Sequence, residues 1–505
     1  MEEREDILEI STQSVQVPVY CARCYHSLCI PLAHHSTEED ETSLSDSANE
    51  NGKDEYSSDS DEDSPIFKED PEDIEEMFLD EIADYMKSNP LIIWRTSFEK
   101  ELVKSISTLF FEEWLEDNIC EEYDYPEIQD WVKQMADYYF RSESDIPPRQ
   151  GGAPKPLTPL RKASIANKLR ILEQVTYPSQ RTQEWYEERY RLITASNAWK
   201  AIGSEAQQNQ LIVEKCIPFD KFKEDCSRHG NLSSDNPMAW GQKYERISAI
   251  IYERRNKTRL GDYGCIVHPE WSFLGASPDG INVDPESSVY GRMVEIKNIV
   301  NRNIDGVPLD AYWVQMQIQM EVCDLDECDF VETRIKEYPS KQEYMDSTNT
   351  CKGIVLTFVP RITIEHTMKR TANQSSVPEL KPFYEYFLLD EEDIGNGSGD
   401  KEESWIQSMK ERWYPGYVLS NTSYWGLDQY SCVLVKRNRV WIENAIPRIE
   451  RIWKTIEKER VTGCEHRAPK KREVKQTANI QITKLPENAS IIINKCVDEN
   501  INELK

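Results

Sequence analysis

The sequence predicts an α/β (α+β) domain built on a mixed central sheet, with a smaller helical region ahead of it. Three observations carry this reading. From about residue 160 short β-prone runs alternate with helical patterns, so strands and helices share one core. Turn chemistry such as Pro278-Asp279-Gly280 punctuates those runs. Between residues 146 and 159, five prolines and two adjacent glycines separate this part from what precedes it.

The 505 residues suffice for two or three domains. Residues 36 to about 75 are acidic and Ser-rich with almost no bulky apolar side chains, too little to offset the entropy of ordering the chain. Residues 1–70 are therefore expected to form a disordered acidic segment. From Pro71 apolar residues recur at three and four: Ile74, Met77, Phe78, Ile82 and Met86, then Leu102, Ile106, Leu109, Phe110 and Trp114, then Ile128, Trp131, Met135 and Tyr139. This gives a helical region over 71–145, a linker over 146–159, a main domain over 160–460 and a tail over 461–505. Within the main domain the expected order is helices over 162–174 and 183–190, then the segment 194–202, a loop, and a helix opened by Asn236-Pro237. Strands follow over 265–267, 273–276, 281–283 and 293–296, then a helix over 309–322. Further strands are expected over 329–335 and 354–358, and a closing helix over 441–459.

A formal net charge of -31, spread evenly, would argue against a nucleic-acid partner. Its distribution removes the objection. Residues 1–150 hold 40 Asp and Glu against 11 Lys and Arg, whereas residues 151–505 hold 51 against 49. The main domain is nearly neutral, and acid beside a metal site is what cation binding requires. Thirteen scattered cysteines, no signal-peptide pattern and no apolar run near twenty residues point to a soluble, intracellular chain without a membrane partner.

The chemistry centres on Asp279 and the run Glu295-Ile296-Lys297. Side chains alternate along a strand, so Glu295 and Lys297 share one face while Ile296 enters the core from the other. If the strands on either side of the short connection pair, two carboxylates and an ammonium converge. That is the equipment of metal-assisted phosphodiester hydrolysis. Hard oxygen ligands suit Mg²⁺, with Mn²⁺ as an alternative and two ions expected, and an ammonium can steer water or neutralise developing charge. Glu245 lies on a helix whose face is lined by Gly241 and Ala249, small enough to admit a sheet or a DNA backbone. Tyr312, Gln315 and Gln319 share one helical face and are candidates for positioning water or phosphate.

These residues carry a resemblance. Five stations stand in order: Thr182-Gln-Glu-Trp-Tyr-Glu-Glu-Arg-Tyr-Arg-Leu-Ile-Thr-Ala-Ser196, Trp240-Gly-Gln-Lys-Tyr-Glu245, Gly275-Ala-Ser-Pro-Asp-Gly280, Val294-Glu-Ile-Lys297 and Ala311-Tyr-Trp-Val-Gln315. Residues 178 to 335 thereby resemble the lambda-type exonucleases, or YqaJ-like viral recombinases, of the PD-(D/E)xK superfamily. The resemblance implies a restriction-endonuclease-like core, a mixed sheet flanked by helices. It implies metal ligation by Asp279, Glu295, Glu245 and the carbonyl of Ile296, with Lys297 and Gln315 holding the attacking water. It also implies a pocket of Arg189, Ser196 and Ser277 for the 5′-phosphate of a DNA end.

The activity so implied is a 5′ to 3′ exonuclease on double-stranded DNA ends, serving recombination or repair in viral DNA replication, with a single-strand annealing protein as a partner. The expected site of action is the host cytoplasm or a viral replication site, with the nucleus open. A structure-specific endonuclease or resolvase of the same superfamily is the nearest rival, and a non-catalytic DNA-binding scaffold the next. The long additions before residue 150 and after residue 335 put a ring-shaped trimer in doubt, although an oligomer stays open. Cys21, Cys24 and Cys29, with His26, His34 and His35 nearby, offer weak zinc-ligand spacing, and the basic run 469–475 reads first as a solvated segment.

Overall fold

The computed structural model describes residues 71–143, 145–178, 182–228, 237–361, 382–389, 398–412, 414 and 416–467. The acidic front segment, Cys21, Cys24, Cys29, Asn236 and the basic run 469–475 lie outside the described residues.

The helical region consists of α1 (Pro71–Ser88), α2 (Phe98–Glu116) and α3 (Tyr125–Tyr138). Its four-residue apolar spacing becomes a buried stripe: Ile74, Phe78, Ile82 and Met86 face Leu102, Ile106 and Phe110 of α2 and Ile128 and Val132 of α3. The Phe78 ring meets the Phe110 ring edge-on at 4.7 Å. This core is not closed off. It belongs to one apolar cluster with the main body, whose members include Trp313, Trp441 and Ile446.

The main body begins with α4 (Pro159–Glu173), α5 (Gln183–Tyr190), β1 (Ile193–Thr194), α6 (Ala195–Ile202), α7 (Glu205–Cys216) and α8 (Phe219–Arg228). Thr158, Thr182 and Ser204 each cap a helix start by accepting a main-chain amide, the role their short hydroxyl side chains suit. The long helix α9 (Pro237–Asn256) leads into β2 (Leu260–Gly261), β3 (Ile266–Val267), β4 (Leu274–Ala276), β5 (Gly280–Asn282) and β6 (Met293–Asn298). Next come α10 (Asp310–Val322), β7 (Glu327–Tyr338), α11 (Lys341–Asp346), β8 (Lys352–Pro360), β9 (Phe383–Leu388), α12 (Ser398–Glu411), β10 (Tyr417–Lys436) and α13 (Arg439–Thr462).

Two sheets result. A small one has the order β1-β4-β3, and a seven-stranded one has the order β2-β5-β6-β7-β10-β8-β9. Strands β6 and β7 are parallel and are joined by α10 as crossover helix, while β5 and β6 are antiparallel, so the large sheet is mixed as predicted. Helices α9 and α10 use opposite faces of β6. Ala249 and Tyr252 of α9 pack with Val294, Ile296 and Val331, whereas Gln319 of α10 reaches Glu295.

Segment 146–159 joins the helical region to the main body, and the structure pins it in place. Arg149, only 3% exposed, donates to the carbonyls of Pro308 at 2.5 Å and Trp94 at 3.3 Å, and its own carbonyl accepts the Trp313 indole at 2.7 Å. Thr96 N donates to Asp310 Oδ1 at 2.7 Å. The helical region is thereby fastened to the start of α10, the helix that carries Gln315 and Gln319. Replacing Arg149 with Met leaves those buried carbonyls unsatisfied and is expected to cost about 1–3 kcal/mol of stability. A lower urea midpoint and faster amide exchange in the first turn of α10 would confirm this.

Candidate active site

The site is set by strand register. Gly280 of β5 pairs with Val294 of β6, so the register continued by one residue sets Asp279 opposite Glu295 and within reach of the Ile296 amide. Its Oδ2 accepts the Ile296 amide at 2.7 Å. The N–H and C=O of one strand residue face the same neighbour, so the Ile296 carbonyl also faces the edge where Asp279 stands. Gly275, in the middle strand of the small sheet, has no room for a larger residue: a Cβ there would lie 2.7 Å from Leu192 Cδ1 and 3.2 Å from the Ile266 carbonyl. That close approach draws β1 and β3 onto the segment that leads to Asp279.

Glu295 is fully buried. Both of its oxygens are held: Oε1 by Lys297 Nζ, and Oε2 by Gln319 Nε2 at 2.7 Å. The same Gln319 amide donates to the Ser277 carbonyl at 3.1 Å. The Lys297 ammonium also lies over the Tyr312 ring at 4.8 Å, a cation–π contact that shields it from bulk water. Tyr312 and Gln319 thus grip Lys297 and Glu295, and half-buried Gln315 lies between them on the same face of α10.

The electrostatics follow from this crowding. Burial pushes the Asp279 carboxyl well above the usual carboxylate range, and the charges of Glu295 and Glu245 push it further, against Lys297 and the Ile296 amide. Burial lowers the Lys297 pKa, yet Glu295 and Asp279 outweigh it and raise it above the ordinary lysine value, so the amine stays an ammonium. Glu245 is exposed on α9, within electrostatic range of Asp279. Its helix is anchored by a triangle that the sequence reading did not single out. Ser248 bonds Asn298 Oδ1 at 2.7 Å and Thr333 Oγ1 at 2.8 Å, Thr333 bonds Asn298 Oδ1 at 2.8 Å, and Asn298 Nδ2 donates to the Gly241 carbonyl. Ser248 amid the apolar stripe of α9 was the available signal.

Among the described residues no group of three or more His, Cys, Asp or Glu side chains is gathered closely enough to hold an ion by itself. The donor set still fits a hard divalent cation: a carboxylate whose raised pKa a cation would lower, a second carboxylate fixed beside it, and a carbonyl on the same edge, with waters completing the sphere as Mg²⁺ prefers.

Arg189, Ser196 and Ser277 lie around the small sheet. Ser196 follows β1 by two residues and Ser277 follows β4 by one, and β1 and β4 run parallel, so both leave the sheet at the same end. The β3–β4 register, continued by one residue, sets Cys265 opposite Ser277, and Arg189 is close enough to lower the Cys265 pKa against the burial that raises it. The Arg189 guanidinium stacks on Trp185 at 4.7 Å, and Ser196 Oγ lies 3.2 Å from Thr194 Oγ1.

Residues 184–326 match the family model of the YqaJ-like viral recombinase domain. The matched segment spans all eight candidate site residues, from Arg189 to Gln315. An uncharacterized protein of Acanthamoeba polyphaga mimivirus is 27% identical over 319 residues, covering 57% of this chain and 54% of that relative. The chain therefore spans about half the length of the curated relative it matches. Crystal structures of an alkaline exonuclease (LHK-Exo) from Laribacter hongkongensis, and of LHK-Exo in complex with dAMP, align at 18% identity and a TM-score of 0.30, over 55% of this chain and 94% of theirs. Among the described residues no helix is long and apolar enough to cross a membrane.

The raised Asp279 pKa has a measurable consequence. A carboxyl whose folded pKa lies above its unfolded value favours folding while protonated, and that contribution is lost as pH rises through the folded pKa. Asp279→Asn is therefore expected to raise the melting temperature in EDTA at pH 8 by a few degrees, less at pH 5. Added Mg²⁺ should stabilise the parent but not the variant, which thermal denaturation at both pH values would show.

Proposed function

We propose that the chain is a Mg²⁺-dependent deoxyribonuclease that digests double-stranded DNA from 5′ ends, with Mn²⁺ able to substitute and with a role in recombination or repair during viral DNA replication. The observation that carries this reading is the convergence of Asp279, Glu295 and Lys297 at one edge of β6. Asp279, Glu295 and the Ile296 carbonyl would hold the metal, with Glu245 adding negative potential from α9. A bound divalent ion would polarise the phosphodiester and lower the pKa of a water. Lys297, kept charged by its two acids and aimed by Tyr312, orients the attacking water or offsets charge developing on the phosphoryl oxygens. Gln319 fixes the rotamer of Glu295, and Gln315 stands where it can hold the same water.

The end preference is proposed from Arg189, Ser196 and Ser277. A guanidinium and two hydroxyls at one end of the small sheet suit a terminal phosphate, for which Arg offers bidentate contact. The YqaJ-like match and the alkaline exonuclease alignment agree in kind with a nuclease on DNA ends, and a single-strand annealing protein is the natural consumer of the 3′ strands left behind.

Lys297→Ala should lower kcat on linear duplex by about 10²–10³-fold with KM little changed, the loss typical of removing one transition-state contact. EDTA should abolish activity. A 5′-labelled duplex should release its label before a 3′-labelled one, and covalently closed circular DNA should survive. Digestion of the closed circle would favour the endonuclease reading, and undiminished activity of the Lys297 variant would refute the catalytic assignment.

A further inference from the structure

A helix ends in carbonyls that its own ladder cannot use, and those carbonyls carry the negative end of its dipole. In α5 the last two are each met by a cation from another element. Lys215 Nζ of α7 donates to the carbonyl of Arg189 at 2.8 Å. Arg460 of α13 donates from Nη2 to the carbonyl of Tyr190 at 2.6 Å, and from Nε to the carbonyl of Lys215 at 2.9 Å. The Arg460 guanidinium lies over the Tyr190 ring at 4.2 Å and the Trp453 ring at 5.2 Å. Lys215 is 1% exposed, with its ammonium 5.0 Å from the Phe222 ring centre.

Burying an ammonium is expensive compared with burying a methionine of similar length, so stability alone does not explain this arrangement. Its effect is geometric. Two cations lock the end of an eight-residue helix to α7 and α13, and the residue locked is Arg189. Misplacing a binding group by about 1 Å can cost on the order of 10²-fold in rate. We propose that Lys215 and Arg460 are positioning residues for recognition of a 5′-phosphorylated DNA end, fixing the last turn of α5 so that the Arg189 guanidinium meets the terminal phosphate. The inference rests on the phosphate pocket proposed above for Arg189, Ser196 and Ser277. Arg460 lies outside residues 184–326, so the closing helix takes part in substrate selection.

The test is steady-state digestion of two duplexes that differ only in a 5′-phosphate or a 5′-hydroxyl, with the full chain and its Arg460→Met, Arg460→Lys and Lys215→Met variants. The parent should prefer the phosphorylated end. Arg460→Met and Lys215→Met should lose at least about tenfold of that preference, chiefly through KM on the phosphorylated duplex, with the hydroxyl duplex digested as by the parent. Arg460→Lys, which keeps one donor, should recover part of the preference. Variants that melt close to the parent and keep its full preference, or that lose both substrates equally, would overturn the positioning role. A parent with no preference would overturn the phosphate pocket and this inference with it. Should Lys215→Met fail to fold, the two Arg460 variants decide the matter.

Discussion

The structure around the site depends on a balance among three charges. Asp279 and Glu295 are brought together where little water reaches them, an arrangement that repels itself in a low-dielectric environment. Lys297 makes it tolerable as an ammonium that bonds Glu295 and lies within electrostatic range of Asp279. Much of the surrounding architecture serves to hold that balance: β5 is paired so that Asp279 reaches the Ile296 amide, α10 supplies Gln319 to Glu295 and Tyr312 to Lys297, and the Ser248–Asn298–Thr333 triangle keeps α9 against the far face of β6. The residual mismatch, a carboxyl held above its ordinary pKa, is what a divalent cation would relieve. Local instability without metal is thus the expected counterpart of affinity for it.

The central part of this layout was legible in the sequence because its signals are local. The strands around Asp279 and Glu295 announce themselves by β-prone runs bounded by Pro-Asp-Gly, and α10 and α13 by apolar periodicity, so their observed bounds lie within a few residues of those expected. Strand β10 did not announce itself. Its twenty residues contain Gly426 and Asp428, and the pairing slips between Leu427 and Gln429 and again between Leu419 and Asn421. Each slip breaks the period-two alternation that identifies a strand, and what makes this segment a strand is its place between β7 and β8, not its own propensity. Strand β9 and the partners of Arg149, Lys215 and Arg460 were hidden for a related reason. Their contacts join residues far apart in sequence, and nothing adjacent records them.

Among the site residues the same division holds. The spacing of Tyr312, Gln315 and Gln319 showed which face of α10 mattered, but only the fold shows that Gln319 is the one that grips Glu295 and that Tyr312 lies beneath Lys297. The segment that sequence chemistry marks as a connector, with its prolines and glycines, proves to be tied down by Arg149. Proline restricts a chain without saying whether anything packs on it.

The position of β10 also bears on how the chain reaches this state. Strand β7 lies beside β6, the strand that carries Glu295 and Lys297, yet its other edge is covered by a strand that begins about eighty residues later. During synthesis β6 and β7 therefore emerge well before β10, and the β7 edge that β10 covers has a long row of amides and carbonyls left without that partner until then. Closing that edge is a slow, non-local event. Chaperone demand and aggregation during expression should concentrate in that interval, and the C-terminal extension then acts as the seal that ends it.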